Sequence, residues 1–236
     1  EVHDAHEALA SARSVLVIGG GVVGVEFAGE IASAFPDHEI TIAHAGGTLL
    51  DGSKPKVQRK VLQQLTARGV DVRFNRRFSR DGDLHRCEKR DETLQPDIAY
   101  VCVGMIPNTE FLQESLPDIL DENGLVQVDQ YMRVIGYDHL YALGGCSTLD
   151  SRKHGYLATV QGAKLADALL RSAGTKKPKP YKKPPLMLIT PTGTDTGVAQ
   201  LAFLVTTAKT IVGIKQKDLG ISHMYKTYGT EPHRWT

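Results

Sequence analysis

Several things are scarce in this sequence, and each shortage removes a class of function. Cysteine occurs three times in 236 residues, at Cys87, Cys102 and Cys146, with no CxxC and no zinc-like pair. Neither a redox disulfide nor a metal centre is indicated, and scattered thiols suit a reducing, intracellular compartment. The nine histidines show no HxxxH or HExxH spacing, so no metal is expected from them. An excess of one charge is missing too. Against 28 Lys and Arg stand 27 Asp and Glu, a net +1 that gives no electrostatic footprint for nucleic acid or an anionic membrane. Long hydrophobic runs are absent. The mostly apolar "VAQLAFLVTTAKTIVGI", 198–214, is short and interrupted by Lys209, which excludes a spanning helix and favours a core helix over a membrane-surface one. The opening "EVHDAHEALASARS" is polar, without the apolar core of a signal peptide.

What is present reads as an α/β protein. A short amphipathic helix precedes "SVLVI", a buried strand; a glycine-rich turn and a helical pattern to about Ala34 follow, and "EITIAH" is the next strand. Ser53 as N-cap with Pro55 just inside opens a helix that Gly69 closes, and "VDVRF" is a third strand. Residues 76–95 alternate and turn at "RDGD" like an antiparallel meander, and "DIAYVCVG", 97–104, is another buried strand. This order predicts a parallel, Rossmann-like sheet with right-handed crossovers. Further on, "GLVQVD" and "HLYALGG" read as strands, "YLATVQGAKLADALLRSAG" as a helix capped by Gly174, and "TKKPKPYKKPP" as a solvated linker. The expected division is a linker helix 1–12, a nucleotide domain 13–108, a segment 109–174, the Lys/Pro linker 175–185 and a small α+β domain 186–236.

The loop Gly19-Gly20-Gly21-Val22-Val23-Gly24 fits the dinucleotide fingerprint GxGxxG. Gly19 permits the tight turn, Gly21 lets a pyrophosphate approach the backbone, and Gly24 lets helix and strand pack closely. The helix that begins at Val22 and Val23 offers unpaired N–H groups and about +0.5 elementary charge to phosphates. At the end of the second strand, where an acidic residue would bond the ribose hydroxyls, stands His44, with no carboxylate until Asp51. His44 with Lys54, Lys56 and Arg59 suits the 2′-phosphate of NADPH; these groups also suit simple decoration of a helix N-terminus, and NADH stays open.

The string "GGGVVGVEFAGE" resembles the nicotinamide loop of the pyridine nucleotide–disulfide oxidoreductases, flavoproteins with two dinucleotide sites. Three landmarks follow in family order: "PDIAYVCVGMIPNT", where the chain leaves the nicotinamide domain; "HLYALGGCSTLD", where the family has "GD" and its aspartate binds the flavin ribityl chain; and the helix "TVQGAKLADALL". Together they span about 1–172, and make 109–174 the C-terminal part of an FAD-binding domain. The tail from Gly193 is similar to that of the apoptosis-inducing-factor homologues, or ferroptosis suppressors, relatives of type II NADH dehydrogenases.

The resemblance implies hydride transfer from NADPH or NADH to FAD, and then to a quinone-type small-molecule acceptor. Localisation stays open between cytoplasmic and mitochondrion-associated, with peripheral membrane contact open too, and the neutral net charge argues against a nucleic-acid partner for "KKPKPYKK". The resemblance places Glu26 near the nicotinamide, the alternative being an acid that merely favours a helix N-terminus. It places Gly104 and Pro107 at the nucleotide, and Gly144, Gly145 and Gln161 at the flavin. Two departures stand out: the glycine loop so near Glu1 makes the chain read as the C-terminal half of a flavoprotein, and Gly145 replaces the flavin-binding aspartate. FAD is therefore expected of the whole protein. For this chain taken alone, a nicotinamide-nucleotide module without flavin chemistry is the alternative.

Overall fold

Strict alternation is missing from "SVLVI" because both faces of this strand are covered. In the computed structural model, β1 (Ser14–Ile18) turns Val15 and Val17 to one core, and Leu16 and Ile18 to another. It lies inside a four-stranded sheet of order β3-β2-β1-β7, with β2 (Glu39–His44), β3 (Asp71–Phe74) and β7 (Ile98–Val101). Every pairing in this sheet is parallel, in the register Val15↔Ile40 and Val15↔Ile98. The structure describes residues 2–81, 84–88, 90–174, 177–216 and 221–229. Part of the "RDGD" turn, the first residues of the Lys/Pro run and parts of the tail lie outside the described residues.

On the first face pack α2 (Val22–Ala34) and α3 (Pro55–Thr66), through Val25, Ala28 and Ile31 of α2 and Val57, Val61 and Leu65 of α3. The spacing of the three α3 residues is the stripe the sequence predicts. Its N-cap is Lys54, not Ser53, and no side chain caps it. Proline at the first helical position forces the preceding residue into extended backbone, so that residue becomes the cap. Ahead of β1 lies α1 (Val2–Ser11), exposed except for Leu9. The second face is covered by the expected meander, β4 (Phe78–Asp81), β5 (Leu84–Cys87) and β6 (Thr93–Leu94), which brings Phe78 and Cys87 onto Leu16 and Ile18.

The chain divides into two compact units, 1–103 with 185–236, and 104–184. The segment expected as a separate small domain therefore belongs to the nucleotide unit. It forms an antiparallel sheet of β8 (Leu188–Pro191), β9 (Gly197–Leu201) and β10 (Leu204–Thr206), then α5 (Lys209–Gln216) and α6 (Ile221–Tyr228). The apolar 198–214 stretch is thus a hairpin and a short helix rather than one core helix. Val198 and Ala199 are buried while Phe203, at the turn, is 97% exposed. Leu188 and Val198 join the α2–α3 core. Gly29 in α2 makes this possible: a Cβ there would lie 2.4 Å from the backbone of Thr192.

In the second unit the expected strands "GLVQVD" and "HLYALGG" reduce to isolated bridges, among them Leu120↔Val126 and Val128↔Val134. Turns built on Asp121 and Asp129, whose carboxylates accept nearby backbone N–H groups, interrupt the ladders. The helix α4 (Gly155–Ala173) ends at Gly174 as read from sequence. The Lys/Pro run is no free linker: Tyr181 is buried and its N–H donates to the Gln130 carbonyl. Arg152 reaches the Pro184 carbonyl at 2.9 Å, with Asp150 holding its other guanidinium nitrogens.

Candidate functional site

The glycine loop sits at the carboxyl end of β1, where open α/β sheets bind ligands. Its three fingerprint glycines are glycines for different reasons. Gly19 has φ +121°, and a Cβ on it would lie 2.4 Å from the Cys102 carbonyl oxygen just past β7. Gly24 faces the loop, and its Cβ would lie 1.9 Å from the Gly19 carbonyl oxygen. Both positions are closed to side chains by the protein's own backbone. Gly21 is different. Its φ of −75° and ψ of −174° suit any residue, and a Cβ there would meet nothing within 4 Å. As N-cap of α2 it brings no side-chain cap, so the first-turn N–H groups of Val22 and Val23 face outward without a capping acceptor. Open space, free donors and a helix N-terminus together make an anion cradle.

His44 ends β2 beside this loop. Its Nδ1 accepts the Gly20 N–H at 3.1 Å, which leaves the ring proton on Nε2, directed at Asp51 Oδ2 3.3 Å away. The imidazole is therefore a brace for the loop. Lys54 is committed as well: its ammonium donates to the Ala202 carbonyl and its N–H to Gln200 Oε1, both at 2.8 Å. Two of the four groups expected at a 2′-phosphate, His44 and Lys54, thus have other partners, while Lys56 and Arg59 lie exposed on α3. Gln200, buried, also donates to the Leu186 carbonyl and pins the C-terminal sheet to α3.

Glu26 lies one turn into α2 and meets Lys215 of α5, whose Nζ is 2.5 Å from Oε1. Burial pushes the Glu26 carboxyl above its ordinary value; Lys215 opposes that shift and Glu30 adds to it. Sequence reasoning found the acid and missed its cation, which stands 189 residues away in a helix whose apolar neighbours drew the attention. Gly104 adopts φ +69° with open space at its Cβ position. The thiol of Cys102 is raised by burial, which suits an inert role.

In the second unit, Gly144 has φ +77°, and its N–H donates to Gln161 Oε1 at 2.6 Å. Gln161 is 1% exposed, so this amide faces inward to hold the turn. At Gly145 a Cβ would find only Met105 Sδ at 3.6 Å. Nothing there excludes a side chain, and no carboxylate is supplied. An apolar cavity of about 420 Å³, walled by residues such as Leu116, Ile119, Val126 and Val134, offers no carboxylate either. The flavin-side residues named from sequence therefore do not fit an FAD by themselves, whereas the nucleotide loop fits a pyrophosphate. Among the described residues no cluster of metal-ligating side chains occurs, and no helix is long and apolar enough to cross a membrane.

Residues 1–166 match the family model described as pyridine nucleotide-disulphide oxidoreductase. The chain belongs to that family. Members of this family use FAD and a nicotinamide nucleotide. Ferroptosis suppressor protein 1 of Xenopus tropicalis is 28% identical over 235 residues, covering 92% of this chain and 61% of the relative. Oxidoreductase ptaL of Pestalotiopsis fici is 33% identical over 187 residues, 77% of this chain and 49% of its own. The chain thus spans about half to three-fifths of the length of these relatives. A ferredoxin reductase from Rhodopseudomonas palustris shares the fold with a TM-score of 0.66 at 21% identity, over 84% of this chain and 50% of that one.

Proposed function

We propose that this chain is the nicotinamide-binding and C-terminal part of an FAD-dependent NAD(P)H oxidoreductase whose electrons pass to a quinone-type acceptor. The observation that carries the reading is Gly21. A position with ordinary backbone angles and empty space around its Cβ has no steric reason to be glycine, and a pyrophosphate lying against the backbone supplies one. Gly19 and Gly24 hold the loop's shape, and the N–H groups of Val22 and Val23 bond the phosphate oxygens.

The nicotinamide supplies the hydride chemistry when bound, and the protein supplies binding, orientation and charge. In this reading Glu26 and Lys215 form a proton-holding pair one helical turn from the loop. Burial raises the carboxyl above its ordinary value, and Lys215 donates a hydrogen bond to its Oε1. With NAD(P)H giving a hydride, reduction of a quinone to the quinol takes up one further proton, and such a pair is placed to relay it. The quinone-type acceptor is supported by the likeness to the suppressor group. Gly145 and the inward-facing Gln161 leave the flavin to be held by other residues of the whole protein.

Gly145 also favours a second reading, a nucleotide-binding module without flavin chemistry. The visible spectrum of the purified whole protein separates the two. The oxidoreductase reading expects a flavin band that bleaches with NAD(P)H and returns on adding a soluble quinone. A colourless, folded, nucleotide-binding protein establishes the second reading.

A further inference from the structure

The loop after β2 is built to present one carboxylate to the glycine loop. Leu49 and Leu50 are buried at 1% and 3% exposure, which anchors the chain immediately ahead of Asp51. The Leu50 N–H donates to the Gly20 carbonyl at 2.8 Å, and the Gly20 N–H donates to His44. Gly20 is thus bonded on both sides to the segment that carries Asp51. Leu50 takes φ +54°, a left-handed conformation that non-glycine residues rarely adopt, and the backbone keeps it to make this turn. Gly46 is bare for the same arrangement: a Cβ there would lie 2.8 Å from His44 Nε2 and 2.9 Å from Asp51 Oδ2.

The carboxylate itself is held but not consumed. Asp51 Oδ2 accepts His44 Nε2–H and Oδ1 accepts the Thr48 hydroxyl at 2.9 Å, while the side chain stays 63% exposed. Each oxygen keeps a lone pair for an outside donor. In a dinucleotide fold an acidic side chain at the end of the second strand accepts the adenosine ribose hydroxyls. His44 occupies that strand end here, and Asp51 arrives beside it from the loop.

We infer that Asp51, oriented by His44 and Thr48, accepts the adenosine ribose 2′-hydroxyl and makes the site selective for NADH over NADPH. This rests on the dinucleotide reading of the loop. The 2′-hydroxyl has a proton to donate to the carboxylate. The 2′-phosphate of NADPH has none at neutral pH beyond its partly retained last one, and it brings like charge against Asp51. Two of the basic groups beside the loop are turned elsewhere: Lys54 to the Ala202 carbonyl, and the uncharged His44, through its Nε2–H, to Asp51 itself, while Lys56 and Arg59 lie exposed on α3.

The test is equilibrium binding of NADH and of NADPH to the 236-residue chain, read by nicotinamide fluorescence, for the native sequence and for Asp51→Asn and Asp37→Asn. NADH is expected to bind about tenfold or more tighter than NADPH, the discrimination of one charge-assisted hydrogen bond. Asp51→Asn shrinks that ratio by about tenfold, chiefly by improving NADPH, and Asp37→Asn, an exposed acid in the turn ahead of β2 at the far end of that strand, leaves it in place. Melting temperature verifies that both variants fold, which the exposure of Asp51 favours. Equal or tighter NADPH binding by the native chain, or a ratio unmoved in Asp51→Asn, overturns the assignment while the dinucleotide reading survives. Folded protein that binds neither nucleotide overturns both.

Discussion

Lys215 Nζ lies 2.5 Å from Glu26 Oε1, so the final third of the chain supplies the counter-ion for an acid next to the glycine loop. Glu26 is on α2 and Lys215 on α5, and the pair ties the C-terminal segment to the helix that opens the nucleotide site. Its charge balance sets a measurable property. The Glu26 carboxyl is raised by burial, and the hydrogen bond and charge of Lys215 pull it back. Lys215→Met removes only the lowering contributions. The carboxyl carbon of Glu26, followed by NMR against pH, should therefore titrate at higher pH in Lys215→Met than in the native protein.

The same shift has a consequence for stability. A carboxyl with a raised native value holds its proton more tightly folded than unfolded. Its contribution to stability therefore falls as pH rises from the ordinary glutamate value, about 4.3, through the native one. Glu26→Gln abolishes that dependence. Urea unfolding at a series of pH values should show a flatter profile for the variant over this window.

Asp150 and Arg152 give the opposite sign. The Asp150 side chain is 1% exposed, and the hydrogen bonds of Arg152 hold its carboxyl below the usual range against the cost of burial. A lowered native value contributes stability that is present above the unfolded value, about 3.9, and is lost as pH falls through the native one. Asp150→Asn should cost about 1–3 kcal/mol at neutral pH. That deficit should narrow below about pH 3.9, where the native protein loses the same contribution.

Gly24 and Gly21 should fail in different assays. Gly24→Ala drives a methyl into the Gly19 carbonyl oxygen and should destabilise by about 1–3 kcal/mol. Gly21→Val meets nothing within 4 Å of its Cβ and should cost only the poorer N-cap preference of valine, about 1 kcal/mol or less, well short of Gly24→Ala. Thermal unfolding of the two variants side by side checks the contrast.

Legibility from sequence followed the range of the interactions. The bounds of α2 and β2 were readable because a glycine loop, a β-branched run and helical periodicity are local signals. The fingerprint glycines were readable for the same reason. Stretch 198–214 misled because its apolar residues satisfy either period, and the turn at Ala202 and Phe203 carries no glycine or proline to announce it. Tyr181 sits among lysines and prolines that look solvated, yet a distant carbonyl on Gln130 fastens it down. His44 was found as a residue and missed as a function. Its partners Gly20 and Asp51 are set by a loop whose course follows from two buried leucines. Lys215 was invisible because only the packing of α5 brings it to Glu26.

The central claim is that the loop 19–24 holds a nicotinamide nucleotide against bare backbone at Gly21. Calorimetric titration of the chain with NADH, for the native sequence and for Gly21→Val, tests it most directly. The account predicts saturable one-site binding by the native chain and a loss of at least about tenfold in affinity for Gly21→Val at a temperature where both are folded. Absence of binding by the folded native chain, or equal affinity in both, contradicts it.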